Sequence, residues 1–234
     1  MKHLILLFSP VIILFFAGCA HTNELAKYDL TGRKMFFSNS VSNEASTIQF
    51  VDNTSPSNDK NKDSKDLAST LASIGSDILS GTSQARISNA VNTASMADYV
   101  SQGLKTALVS FFNVKDVNSA DKGPQFIVET TVERCELVTG DKNVSIKIKA
   151  SSRIIDQSSG NIVWDDNETS TIPLQDNYSN NSKNGKTANK VLSAVQLASL
   201  SDRDIQKVVD DAAINAGRKI GETLREDVVK LKNK

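Results

Sequence analysis

Histidine is nearly absent from this 234-residue sequence, which contains only His3 and His21. Everything after residue 21 therefore lacks an imidazole. This excludes Ser-His-Asp and Cys-His nucleophilic catalysis from that part of the chain, and also zinc sites with histidine ligands. Glycine-rich phosphate-binding loops and the GxSxG nucleophile pattern are missing as well. We therefore expect a protein that is not an enzyme and that holds no cofactor and no metal ion.

An excess of basic residues is also lacking, because 27 lysines and arginines balance 27 aspartates and glutamates. The charge balance argues against a nucleic-acid partner and against a polybasic patch for anionic lipids. Long apolar runs are missing too. The longest, residues 4–16, is interrupted by Ser9 and Pro10, and it falls short of the roughly 20 residues that a membrane-spanning helix needs. Its length fits the apolar part of a signal peptide.

Cysteine occurs only twice, at Cys19 and Cys135. If Cys19 is modified, Cys135 has no partner for an intramolecular disulfide. Cys135 lies in a segment with a strand pattern, so we expect it to be a buried small hydrophobic residue rather than a reactive thiol.

Residues 14–20, Leu-Phe-Phe-Ala-Gly-Cys-Ala, resemble the lipobox of bacterial lipoproteins, although Phe16 stands where that family prefers leucine. The resemblance implies that residues 1–18 are removed as a signal peptide. It also implies that the Cys19 sulfur carries a diacylglyceryl group and that the new amino group takes a further chain such as palmitate. Ala20, in place of aspartate, implies sorting to the periplasmic face of the outer membrane. Residues 19–33 would then form a lipidated tether with a reach of about 50 Å.

The remaining residues, 34–234, are expected to form a single α/β periplasmic domain with mobile loops at about 41–65 and 175–187. Short strands are predicted at 34–37, 48–51 and 114–117. A short helix is predicted at 84–91, and a stronger one at 96–112 with Ser95 as its N-cap. Residues 188–200 and 205–231 carry further helical patterns, and Ser201 with Asp204 indicates a capped start for the last one.

Three consecutive strands are predicted at 126–138, 144–155 and 162–172, separated by turns. The apolar positions of the first strand change face near Glu133 and Arg134, which predicts a bulge there. The second strand alternates between an apolar face and a polar face. We therefore expect an α+β fold: a two-layer sandwich whose mostly antiparallel sheet contains a three-strand meander (about 126–172) and is covered by amphipathic helices.

One further helix carries a candidate binding surface. Apolar residues recur with helical spacing within residues 66–80, between small polar residues, and form a narrow stripe. The stripe either packs on its own domain or is offered to a protein partner. Its members are Leu67, Leu71, Ile74 and Ile78.

An acidic cluster, Asp165-Asp166 with Glu168, is the best carboxylate group in the sequence. Adjacent strand residues point to opposite faces, so Asp166 and Glu168 can share a face while Asp165 cannot. We interpret the cluster as a solvated part of a strand.

The order helix, short strand, three-strand meander, helix over residues 95–231 resembles several small envelope lipoproteins. These are auxiliary lipoproteins of ABC-type envelope transporters, the periplasmic core of curli-secretion lipoproteins, and lipoprotein activators of peptidoglycan synthases. The hairpin at 153–164, with Asp156, Gly160 and Trp164, is similar to a hairpin that recurs in them. The resemblance implies a membrane-anchored lipoprotein that binds envelope proteins in transport or biogenesis. Carriage of a lipid or glycan, and activation of a peptidoglycan synthase, remain alternatives.

Overall fold

A computed structural model of the chain describes residues 22–52, 82–139, 144–173 and 201–232. The described residues contain three α-helices, α1 (Thr82–Ala90), α2 (Thr93–Phe112) and α3 (Asp202–Lys232), and six strands: β1 (Lys34–Val41), β2 (Gln49–Asp52), β3 (Lys115–Val117), β4 (Phe126–Thr139), β5 (Val144–Asp156) and β6 (Ile162–Pro173). The signal peptide, Cys19, most of the two loops, and the helices predicted at 66–80 and 188–200 lie outside the described residues.

The six strands form one mixed sheet in the order β3-β1-β4-β5-β6, and β2 also pairs with β4. The pairs β1–β3, β1–β4 and β2–β4 are parallel, whereas β4–β5 and β5–β6 are antiparallel. The expectation of a mostly antiparallel sheet is therefore wrong. Helices α1 and α2 lie between β2 and β3 in the chain, and such a crossover returns the chain in the parallel direction. Only the hairpin-linked meander of β4, β5 and β6 is antiparallel.

The long strand β4 is interrupted by the predicted bulge. Its pairing with β5 shifts register between Val132 and Arg134, which confirms the bulge at Glu133. Strand β1 pairs with β4 before the bulge and β2 pairs with it afterwards. At the junction the Ser42 N–H donates to the Val132 carbonyl at 2.9 Å, and the Ser42 hydroxyl donates to the Glu133 carbonyl at 2.8 Å. The bulge therefore lets two short segments share one edge of β4.

The two faces of the sheet differ as the alternation in β5 predicts. Ile146, Ile148 and Ile154 are fully buried beneath the helices. The opposite face carries cross-strand ion pairs, including Lys147 Nζ to Glu136 at 3.0 Å and Lys149 Nζ to Glu133 at 2.8 Å. Opposite charges on neighbouring strands stabilise a water-facing sheet surface modestly. The helices therefore cover one face only.

Helix α2 begins earlier than its apolar stripe suggests. Asn92, not Ser95, is the N-cap, because the Asn92 side chain accepts the N–H groups of Ala94 and Ser95 at 3.1 and 3.2 Å. Ser95 lies inside the first turn, where its hydroxyl donates back to the Asn92 carbonyl at 2.8 Å. The prediction of Ser95 as the cap is wrong because the apolar stripe starts one turn inside the helix.

The predicted start of α3 is confirmed. The Ser201 hydroxyl accepts the Asp204 N–H at 3.2 Å, and the Asp204 carboxylate accepts the Ser201 N–H at 3.2 Å. This reciprocal pair satisfies two amides that a helix start otherwise leaves unpaired. It also lowers the pKa of Asp204, chiefly through the Ser201 hydrogen bonds.

Helices α2 and α3 pack backbone against backbone. A Cβ atom on Gly217 would overlap the Val100 carbonyl oxygen, and one on Gly103 would overlap the Ile214 carbonyl oxygen. At Gly221 a Cβ would overlap the Ala107 side chain. The distance between two packed helices depends on the side chains between them. These three glycines therefore allow the two helices to approach more closely than any other residue would permit.

We predict that Gly217→Ala lowers the free energy of unfolding by about 3 kcal/mol, the upper range for an overpacked core. The added methyl meets backbone, which no side-chain rotation can relieve, and this outweighs the roughly 1 kcal/mol that alanine gains in helix propensity. Urea denaturation followed by circular dichroism measures the change. The neighbouring exposed Arg218→Ala variant is the control, with an expected change within about 0.5 kcal/mol. A Gly217→Ala protein as stable as the wild type would contradict the close packing.

Candidate functional site

The segment that follows the lipobox-like sequence is built into the domain. Asn23 forms an antiparallel bridge with Trp164. On either side of it, the Glu24 N–H donates to the Val163 carbonyl at 2.8 Å, and the Asp165 N–H donates to the Thr22 carbonyl at 3.1 Å. The chain from residue 22 therefore extends the sheet at the outer edge of β6, and the sequence-based reach of about 50 Å does not apply to it.

Apolar side chains hold the rest of this segment in place. Leu25 and Leu30 are buried, at 4% and 3% exposure. The Tyr28 ring meets Phe126 edge-on, with 6.1 Å between the ring centroids. These residues were not singled out from the sequence, because they lie within a polar stretch and show neither a strand nor a helix period. In the sequence, only the presence of single apolar residues in a polar stretch indicated that this segment packs on the domain.

Beneath the docked segment, Trp164 joins β6 to α3. Its side chain is fully buried, and the indole N–H donates to the Asp227 carboxylate at 3.1 Å. Lys230 donates to the other Asp227 oxygen at 3.3 Å. A buried carboxylate is stable when it is hydrogen-bonded and paired in this way. Trp164 therefore anchors the start of β6 to α3.

A pocket of about 470 Å³ lies between the docked segment and the C-terminal ends of α2 and α3. This volume is within the range of small-ligand sites. Most of the lining is apolar, with an aspartate and a threonine among it. The lining residues are Leu25, Ala26, Tyr28, Asp29, Leu30, Thr31, Phe112, Val228 and Leu231.

Two large apolar side chains are exposed beside this pocket. Phe111 is 39% exposed and Val229 is 47% exposed. The Arg225 guanidinium lies over the Phe111 ring, 5.1 Å from its centroid. Arg225 and Val229 are one helical turn apart on α3, so the three side chains form one surface, which we call the end patch.

Cys135 is buried, as expected from its strand pattern, and its sulfur is a free thiol. Burial raises the pKa of the thiol from 9.0 to about 12, with a further contribution from the negative charge of Glu136. The thiolate is the reactive form of cysteine, so this thiol is inert at neutral pH.

The acidic cluster of β6 is divided between several contacts. The Asp165 carboxylate accepts the Thr22 N–H at 2.6 Å and so helps to dock the N-terminal segment. Glu168 accepts the Thr223 hydroxyl of α3 at 2.7 Å. In the described ranges, no three His, Cys, Asp or Glu side chains gather into a possible metal site. The described helices also include none that is long and apolar enough to span a membrane.

Two of the predicted site features cannot be placed, because Cys19 and the stripe Leu67, Leu71, Ile74 and Ile78 lie outside the described residues. The structure places Thr22, three residues after Cys19, against β6. Any lipid on Cys19 would therefore be attached close to the folded domain.

No protein-family model matches this sequence, and no curated protein is detectably similar to it. Among solved structures, the chain is similar to protein XCC0632 from Xanthomonas campestris, with 10% identity, coverage of 91% of this chain and 94% of that one, and a TM-score of 0.41. Lipoprotein GNA1162 from Neisseria meningitidis matches with 16% identity, coverage of 72% of this chain and 99% of that chain, and a TM-score of 0.23.

The C-terminal domain of LpoB from Salmonella enterica matches with 13% identity, coverage of 59% of this chain and 82% of that chain, and a TM-score of 0.19. Of these three proteins, GNA1162 carries the name lipoprotein. The identities and scores are too low for any of these likenesses to support an argument about function.

We predict that Asp227→Ala lowers the free energy of unfolding by about 1–3 kcal/mol, because it removes an acceptor from a buried indole N–H. Trp164 is the only tryptophan in the chain, so its emission should also shift to longer wavelength as water reaches the ring. Urea denaturation followed by fluorescence measures both effects. The exposed neighbour Glu226→Ala serves as control and should leave both unchanged. An unshifted emission in Asp227→Ala would argue against the Trp164–Asp227 contact.

We also predict a pH dependence that originates at Cys135. The unfolded thiol loses its proton near pH 9, whereas the folded thiol keeps it to about pH 12. The contribution of the Cys135 thiol to the free energy of unfolding is therefore complete below about pH 9, and it is lost as the pH rises towards 12. Urea denaturation of the wild type and of Cys135→Ala between about pH 8 and pH 11 tests this. Other groups titrate equally in both proteins, so the wild type should lose more stability than the variant. Stability that falls equally with pH in the wild type and in Cys135→Ala would contradict the raised pKa of Cys135.

Proposed function

We propose that the protein is a lipid-anchored lipoprotein of the bacterial envelope, which acts without catalysis by binding other envelope components. The proposal rests on the lipobox-like residues 14–20, whose cysteine provides the thiol for a lipid thioether. Two or more acyl chains hold a protein stably at a membrane, whereas one does not. The hydrogen bonds that join Thr22 and Glu24 to β6 would keep such an anchor close to the domain.

Binding rather than chemistry is the proposed activity because the described residues contain no constellation of catalytic type. Their one buried thiol, Cys135, has a raised pKa, and Asp165 and Glu168 are occupied in holding the fold together. Partner binding would use the stripe within residues 66–80. The periplasmic face of the outer membrane is the proposed location, since Ala20 replaces the aspartate that is associated with inner-membrane retention.

Carriage of a small apolar ligand is a second candidate, and the pocket of about 470 Å³ favours it. Native mass spectrometry of the Cys19→Ala protein, purified without detergent, tests this alternative. A co-purified lipid or glycan that is lost when Leu30→Asp alters the pocket wall would support carriage. A protein that carries no ligand would count against it.

We predict that Cys19→Ala abolishes incorporation of labelled palmitate and releases the protein from the membrane fraction, since the alanine side chain offers no sulfur for the thioether. Metabolic labelling and cell fractionation measure both effects. The matched control is Cys135→Ala, which removes the other cysteine and should still be labelled and membrane-bound. A Cys19→Ala protein that stays labelled and sediments with membranes would refute the anchor.

In-cell photocrosslinking from Leu71 and Ile74 tests the partner surface. The expected result is a discrete crosslinked envelope protein, absent when the crosslinker is placed at the exposed Arg203 instead. A peptidoglycan synthase as that protein would favour the activator alternative, whereas a transporter component would favour a role in envelope transport. Equal crosslinking from the stripe and from Arg203 would argue against specific partner binding by the stripe.

A further inference from the structure

We propose that the end of the domain bearing the end patch rests directly on the lipid surface of the membrane. The end patch consists of Phe111, Arg225 and Val229. This proposal rests on the proposed lipid anchor at Cys19, and it adds which part of the protein faces the bilayer. The alternative is a domain that swings freely on a long tether, with no preferred face towards the lipid.

The length of chain between the anchor and the fold is the first argument. Only Ala20 and His21 separate Cys19 from Thr22. Three Cα–Cα steps span at most about 11 Å. Thr22 is held through its carbonyl and its N–H by Asp165. The bilayer surface must therefore lie within about 11 Å of this point on the folded domain.

The position of that point in the fold is the second argument. Thr22 docks near the beginning of β6, at the end of the sheet where the N-terminal segment meets the ends of both long helices. The Gly32 N–H donates to the carbonyl of Phe112, the last residue of α2, at 2.9 Å. Val228 and Leu231, from the last turns of α3, line the pocket together with Leu25. The short connection therefore keeps the proposed anchor near this end of the sheet.

The chemistry of the end patch is the third argument. Exposed large apolar residues are few in the described chain, and Phe111 and Val229 both lie at this end. Aromatic side chains are favoured at the membrane–water interface. An arginine such as Arg225 can bury its apolar stem there while its guanidinium stays hydrated. The lipid surface is thus an occupant that matches both the apolar groups and the cation beside them.

Helix α3 offers two labelling positions at a known separation for the test. Val229 and the exposed Arg203 lie at opposite ends of α3, 26 residues apart, which corresponds to about 39 Å. Each is replaced singly by cysteine in the full-length lipidated protein and labelled with a bimane fluorophore. Cys135 is buried with a raised pKa, so it should not react. The proteins are reconstituted in vesicles of phosphatidylethanolamine and phosphatidylglycerol that contain a lipid with a nitroxide quencher near its headgroup.

The expected result is that bimane at residue 229 loses roughly half or more of its emission, because interfacial groups lie within about 10 Å of the headgroups. Bimane at residue 203 should keep its emission. A second variant inserts twelve Gly and Ser residues between His21 and Thr22, which adds about 40 Å of reach. If the short connection alone holds the end patch on the lipid, this variant should lose most of the quenching at residue 229 while the protein still floats with the vesicles.

Two results would overturn the proposal: equal quenching at the two labels, or stronger quenching at residue 203. Quenching at residue 229 that the insertion leaves unchanged would support it, because the end patch would then stay on the lipid without the short connection. Vesicle flotation separates this proposal from the anchor itself. A wild-type protein that does not float with the vesicles would refute the lipid anchor. A protein that floats but whose label at residue 229 is not quenched would refute only the membrane-facing end.

Discussion

The close contact between α2 and α3 is the constraint on which the helical layer depends. Gly103 and Gly217 leave no side chain between the two backbones, and Gly221 makes room for the Ala107 side chain. The helices can therefore lie side by side on one face of the sheet. Their C-terminal ends come together at the same end of the domain, where Phe112, Val228 and Leu231 form one wall of the pocket.

Trp164 connects that helical layer to the N-terminal segment. Its backbone bridges Asn23, and its indole N–H donates to Asp227 on α3. One residue of β6 therefore links the chain nearest the proposed anchor to the longest helix of the described fold. Because large buried aromatic residues contribute much of a core's stability, the docked segment is fastened to a residue on which the stability of the core depends.

The docked N-terminal segment changes how far the domain could move from a lipid attached at the lipobox-like sequence. With residues 19–33 as a free tether, the domain would explore a shell of about 50 Å. With Thr22 bound to β6, only three residue steps separate the proposed lipid from the folded domain. The end of the molecule that carries the start of α3 and the turn at Asn43–Ala45 then points away from the proposed membrane surface.

Short-range patterns determined much of the local structure. The alternation in β5, the change of face at Glu133 and the Ser201–Asp204 pair each depend on residues a few positions apart, and each was predictable. The cap of α2 was missed because Asn92 stands one turn before the first apolar position.

Tertiary structure alone decided how these elements associate. Strand alternation specifies which side chains are buried, but it does not specify the neighbouring strand or its direction, so the parallel pairing of β1 and β2 with β4 could not be predicted. Leu25 and Leu30 are isolated apolar residues in a polar stretch of the sequence. They become part of the core because they pack on the ends of both helices. The lipobox-like motif itself is local and was legible from seven residues. How close its cysteine lies to the folded domain depended on contacts between residues more than 140 positions apart, such as Thr22 and Asp165.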